Sequence, residues 1–558
     1  MKLHSLLAVA MSTLLAAGCS SDEPFFNNGG NGNNGATGNA YISLSVQLPT
    51  STSTRATDTY DDGAEKEYAV RDMTVLIFDA NNNFEHCYST ENNSMQLPSG
   101  WNKDNDDTNN ITTTANTQAL KVTNGEKHVV VVLNNHKMFD FSHITKLSDL
   151  KALTNANGID TRGNQATKYI GDFSGSAGNF FMTSSPYYNG STSNPAIIEY
   201  ATVMPTTQIS NPGRAKVYVE RLTAKVSLSE NLTNKVYNID NGVAAGSKAQ
   251  FTAWNLDVTN LSSYLFRHVN TDWVSTQEKR AKFTDNTPEN NRIRFAEDTN
   301  YGDDQQNTAS GDTPKPVKSG LFSTTDEGDT QNLISNPVTT DATMYCFENT
   351  FNVNNMRQDR TTRIIFKAKY TPAGDAFNNT NNPTGNWYTI GGSTTPLNEA
   401  QFVERVKAAI TAAGVTIQST VFNADMAHNL KATDKEITAE ALGLSGNDAE
   451  TQTQKVRVAL GSIQVFKGGE CYYIGRIRHF GDAQADWTNG TNGYTEASLG
   501  RYGIVRNNWY KLTVNKVSQP GSPFVPQTTP ELDDVNNYYI DCDVNIEPWA
   551  VRQQGFDF

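Results

Sequence analysis

The sequence is poor in the residues that most catalytic and metal chemistry needs. Its five cysteines stand at 19, 87, 346, 471 and 542, and no two form a CxxC pair. No histidine lies at zinc-ligand spacing from any of them, so neither a metal nor a cofactor is expected. The eight histidines are scattered, and HExxH, GxSxG and GxxxxGK[ST] are all absent. Nothing assembles a nucleophile, a base and an oxyanion donor, so the chain does not read as an enzyme. Basic charge is scarce too: 45 Lys and Arg stand against 59 Asp and Glu, a net charge of −14. That balance argues against nucleic acid as a partner. Beyond the N-terminus no apolar run approaches the about 20 residues of a spanning helix. Aromatics at 10% nevertheless make the chain too rich for disorder.

Residues 1–18 carry Lys2, an apolar run from Leu6 to Ala17, and the small residues Ala16, Ala17 and Gly18 before Cys19. This is the pattern of a secretory signal. A cysteine directly after small residues resembles a bacterial lipobox, which marks Cys19 for lipidation. The Asp22-Glu23 pair behind it resembles the export signal of Bacteroides-type surface lipoproteins. Phe25 to Asn39 is Gly/Asn-rich and reads as a flexible tether. The other four thiols could form two disulfides but read more simply as small buried hydrophobes. Asp79 to Asn83 has the composition of a cation loop, yet joins two strand-like runs and reads as a turn.

The body reads as strands. Ile42, Leu44, Val46 and Leu48 alternate with polar residues, a half-buried strand over Tyr41–Leu48. Further strands are expected at Met73–Phe78, Lys127–Leu133, Phe251–Val258, Arg363–Tyr370, Glu470–Ile477 and Trp509–Val517. Lys127–Leu133 is nearly all apolar, so it is placed centrally. The longest run is Lys216–Leu228, and a domain boundary is placed near Arg221 and Leu222. Residues 299–335 and 371–398 read as long loops. One strong helix is expected over Asn398–Ala413, with weaker ones at Ile144–Leu153 and Asp434–Leu442. Many strands and few helices imply packed antiparallel sheets.

The two ends of the body complement each other. Tyr538, Ile540, Cys542, Val544 and Ile546 alternate with polar residues, and Trp549 follows Pro548. A chain end is usually polar and frayed; this one reads as a strand to be buried. Arg55 is the one basic residue between Tyr41 and Glu65. Cleavage between Arg55 and Ala56 would free the first strand and leave an acceptor for another. Burying its four apolar side chains contributes roughly 6–12 kcal/mol gross.

Several motifs resemble the fimbrillins of Bacteroidia, the subunits of type V pili, in their minor-fimbrium branch. They are Arg71 to Asp79 (RDMTVLIFD), Arg221 to Val226 (RLTAKV), Tyr345 to Thr350 (YCFENT), Tyr472 to Phe480 (YYIGRIRHF), Gly500 to Leu512 (GRYGIVRNNWYKL) and Ile546 to Trp549 (IEPW). The resemblance implies a mainly β fold of two tandem transthyretin-like antiparallel β-sandwich domains with few short helices. The division expected is a signal peptide at 1–18, a tether and removable strand at 19–55, sandwich domains at 56–222 and 223–534, and a donor-strand tail at 535–558. It implies lipidation at Cys19, an outer-membrane anchor before cleavage, an Arg-specific protease acting at Arg55–Ala56, and export to a surface fimbrium. Polymerisation would follow by donor-strand exchange with further copies and with anchor and tip proteins. Arg71 is a second cleavage candidate, but it abuts a strand. The competing reading is a tethered glycan-binding lipoprotein using some of the 7 Trp and 22 Tyr.

Overall fold

A computed structural model describes residues 39–47, 67, 69–98, 114–154, 180–240, 244–284, 295–302, 322–324, 334–480, 494–534 and 550–557. The described chain divides into two units. The first takes the residues up to Leu222 and then Ser262–Asp298; the second takes Thr223–Leu261 and the residues from Thr299 onward. The stretch expected as a single C-terminal domain, 223–534, is therefore interrupted by a return to the first unit.

The first unit holds β1 (Ala40–Gln47), β2 (Met73–Asp79), β3 (Phe84–Ser89), β4 (Thr114–Asn116), β5 (Leu120–Val122), β6 (Lys127–Leu133), β7 (Met182–Ser184), β8 (Tyr187–Tyr188), β9 (Ile197–Ile198), β10 (Ala201–Val203) and β11 (Gly213–Arg221). Nine of these form one sheet in the order β3-β2-β6-β7-β11-β1-β4, with β5 added to β1 and β10 to β6. β6 has every residue buried, as its apolar run requires. Its leading Lys127 is tolerated because Nζ reaches Glu85 at 2.8 Å and donates to Thr123 at 2.9 Å. β11 is a corner: Gly213–Tyr218 pairs with β1, and Val219–Arg221 pairs with β7. A short helix, α1 (Leu147–Lys151), occupies the middle of the expected Ile144–Leu153, and α2 (Gln277–Phe283) lies in the returning segment.

The second unit begins with β12 (Thr223–Leu228), separated from β11 by Leu222 alone. It continues with β13 (Tyr237–Asn238), β14 (Lys248–Asp257), β15 (Thr259–Asn260), β16 (Phe322–Ser323), β17 (Thr343–Phe347), β18 (Arg363–Thr371), β19 (Trp387–Ile390), β20 (Leu397–Asn398), β21 (Ile463–Phe466), β22 (Glu470–Arg476), β23 (Asn508–Lys516) and β24 (Ala550–Asp557). Two four-stranded sheets run β17-β12-β23-β24 and β13-β14-β18-β22. Val226, Leu512 and Val514 from the first share one core with Phe251, Trp254, Phe366 and Tyr473 from the second, which makes a sandwich. Most pairings in the described residues are antiparallel, but β1–β11, β12–β23 and β23–β24 are parallel. Long connections between those strands permit this.

Residues 371–398 are not only loop. β19 and β20 lie there and pair with each other, β19 also pairs with β21, and Trp387 stacks on Phe466 with ring centroids 3.6 Å apart. Three helices cover this small sheet: α3 (Glu399–Ala412), α4 (Ala424–Asn429) and α5 (Ala449–Leu460). α3 is the strong helix of the sequence. Asn398 and Gln401 close a capping box, Phe402, Val403, Val406, Ala409 and Ile410 are buried, and Gly414 ends it at φ 64°. Asp434–Leu442 is turn rather than helix. Its buried residues Ile437 and Leu442 are five apart, a spacing that no single helix face provides.

Candidate functional site

The first strand is inside its sheet. β11 pairs with β1 in parallel along Ile42–Gln47. On the other side, β5 pairs with Ala40–Ile42 and β4 with Ser45–Gln47, both antiparallel. Between those two, Leu44 N–H donates to Thr117 Oγ1 at 2.9 Å, and Thr117 N–H returns a bond to Leu44 O at 2.9 Å. Ile42, Leu44 and Val46 are almost wholly buried. The strand therefore has neighbours on both sides. Gly213, opposite Ile42, is required by close packing: a Cβ there would lie 1.9 Å from Met204 O. Leu48, Arg55, Ala56 and Cys19 lie outside the described residues.

At the other end of the chain, β24 pairs in parallel with β23 from Asn508↔Ala550 to Lys516↔Asp557. It forms the edge of its sheet. The expected donor residues Tyr538, Ile540, Cys542, Val544, Ile546 and Trp549 lie outside the described residues. The strand seen in the tail is thus Ala550–Asp557, beyond the alternating run. Its Arg-Gln-Gln-Gly centre gives no period-2 signal, which is why sequence reasoning missed it.

Other singled-out residues have structural roles. Asp79 closes the β2–β3 turn, accepting from Asn81 N–H at 2.8 Å and Asn83 N–H at 2.9 Å, with Asn82 left-handed at φ 65°. Burial raises its carboxyl, but the bonds from Asn83 and Asn81 and the charge of Lys127 outweigh that and hold it below the usual range. Cys87, Cys346 and Cys471 are free and buried, and burial pushes each thiol up to about 12. Arg71 is exposed, but its N–H donates to Asn134 Oδ1 at 2.8 Å. Asn134 also donates to Ala69 O and Phe180 O, stapling that backbone to the body.

The motifs meet in the second unit. Glu348 of YCFENT pairs with Arg506 at 3.0 Å, both fully buried. Asn349 and Ile504 exchange backbone bonds at 2.7 and 2.8 Å. Tyr510 Oη accepts from Val505 N–H and lies 2.9 Å from His479 Nδ1. These polar groups satisfy one another inside the protein, the condition for burying them at all.

The model for the major fimbrial subunit protein (FimA) matches residues 40–229, and the model for the C-terminal part of the type IV major fimbrial subunit, fimbrillin, matches 464–555. Together they cover half of the chain. Among solved structures, a fimbrilin (FimA) from Porphyromonas gingivalis is 12% identical, with 94% of this chain and 98% of that one aligned and a TM-score of 0.33. The tip fimbrial protein Mfa3 of the same organism, with a C-terminal truncation, is 11% identical over 62% of this chain and 85% of that one, TM-score 0.26. A fimbrial assembly protein from Parabacteroides distasonis is 13% identical over 65% and 96%, TM-score 0.25. No curated protein sequence matches. The matched family is one of structural proteins, not of enzymes, and its members build a cell-surface appendage together with other fimbrial proteins. With both ends of its body matched in order, the chain belongs to the fimbrillin family of fimbrial subunits.

Proposed function

We propose that this subunit is exported as a lipoprotein through Cys19, held at the outer membrane, and cut by an Arg-specific protease between Arg55 and Ala56. It then polymerises by donor-strand exchange into an adhesive fimbrium with copies of itself and with anchor and tip proteins. The observation that carries this reading is the inner position of β1. Withdrawing an edge strand exposes one row of backbone groups; withdrawing β1 exposes two, on β11 and on β4 and β5, facing each other across an apolar trough. Refilling that slot buries side chains equivalent to Ile42, Leu44 and Val46, roughly 5–9 kcal/mol gross. Each ladder hydrogen bond adds about 1 kcal/mol net. The incoming strand is assigned to the tail of a neighbour, from Tyr538, Ile540, Cys542, Val544, Ile546 and Trp549 through Ala550–Asp557. An edge position for β24 suits this, because its departure leaves the remaining strands of its sheet paired. Deleting residues 535–558 tests the reading: the variant should fold as a monomer and form no fibres after cleavage at Arg55. Fibres formed as readily without the tail would refute it.

A further inference from the structure

Arg476, Arg501 and Tyr502 are all buried at one place in the second unit. They surround two consecutive carboxylates, Asp533 and Asp534, the last described residues before the tail. Thr361 Oγ1 donates to Asp533 Oδ2 at 2.6 Å. Arg476 Nε lies 3.0 Å from Asp533 Oδ1, an ion pair rather than an aligned hydrogen bond. Asp534 accepts from Tyr494 Oη at 2.9 Å, Tyr502 Oη at 2.6 Å, and Arg501 through Nε at 3.0 Å and Nη2 at 3.2 Å. That is two-nitrogen recognition of a carboxylate by a planar guanidinium. The preceding backbone is held as well. Arg357 Nη1 donates to Pro530 O at 2.7 Å, Gln358 N–H to Glu531 O at 2.9 Å, and Asp533 N–H to Met356 O at 3.2 Å.

We infer that residues 526–534, held at their start by Arg363 Nη2 donating to Pro526 O at 2.8 Å, are a fixed root for the C-terminal tail, and that tension on the tail enters the body through Asp533 and Asp534 into Arg476, Arg501, Tyr494 and Tyr502. Edge strands peel one hydrogen bond at a time. A root held by several side-chain contacts to both carboxyl groups resists because those contacts must break together and leave buried polar groups without partners. The contrast with β24, held by backbone pairing to β23, gives the tail a strand that can leave its sheet and a root that stays in place. The use of this root in a fibre rests on the donor-strand reading; its existence does not.

Pulling a single monomer tests it, with one handle at Val458, 75% exposed on α5, and one at the C-terminus. In the unaltered chain, release of β24 should be followed by no further lengthening until the second unit yields as a whole. In the Asp533→Ala/Asp534→Ala variant a new step of about 30 Å should appear at lower force, the contour of nine residues. That step in the unaltered chain, at the force that frees β24, would overturn the inference. Hydrogen exchange of the unaltered protein is a second readout, valid even if the variant does not fold. The Asp533 and Asp534 amides, donors to Met356 O and Tyr494 Oη, should exchange only with opening of the whole unit. Exchange at exposed-loop rates would equally overturn it. Fibres formed without residues 535–558 would refute the donor assignment and leave the root intact.

Discussion

β1 and β24 are both eight-residue strands running parallel to a neighbour, yet they sit differently. β1 is paired on both sides and contributes Ile42, Leu44 and Val46 to the buried interior. Among the described residues, β24 is paired on one side only. Under the proposed donor-strand exchange, the difference would assign the accepting role to the slot of β1 and the giving role to the end that carries β24. A strand removed from the inside creates a site that another strand must fill, whereas a strand removed from the edge leaves a sheet that is merely shorter.

The sharpest way to break this comparison is Leu44→Asp. A carboxylate in the trough should cost the first unit about 4 kcal/mol or more, read as loss of its denaturation transition, while deleting 550–557 should move the second unit's transition far less. Next is Gly213→Ala. The new Cβ must displace the Met204 carbonyl, so roughly 3 kcal/mol should be lost from the first unit. At the tail root, burial raises the Asp533 carboxyl to about 7, helped by Asp534 and Asp359 and opposed by Arg476 and Thr361. A carboxyl raised in the folded state stabilises most when protonated, and that contribution is lost as pH rises through 7. The second unit should therefore gain about 2 kcal/mol between pH 8 and pH 5, and Asp533→Asn should flatten the slope. Smallest is Thr117→Val, which strands the Leu44 amide and should cost about 1 kcal/mol by denaturant titration.

Much of the fold was legible because buried strands carry their own pattern. Tyr41–Leu48, Lys127–Leu133 and Arg363–Tyr370 match β1, β6 and β18 to within a residue or so over the described positions. α3 was legible from its cap, its apolar stripe and Gly414. Elements defined by distant partners were not. β19 is four residues in a Gly/Asn-rich stretch, and it exists because β21, over seventy residues later, pairs with it. α5 buries only Thr453, Val456 and Leu460. The first strand was legible, but its inner position was not, since β4 and β5 are three residues each, too short to stand out as a period. Arg476 and Arg501 lie within the motifs but show no role in sequence, because their partners Asp533 and Asp534 follow a segment with no regular pattern.

The most direct measurement is the N-terminal sequence of subunits recovered from assembled fibres. Those subunits should begin at Ala56, with residues 40–47 gone and their slot occupied by a neighbour's tail. Fibres whose subunits still contain Ala40–Gln47 would show that assembly proceeds without vacating that slot.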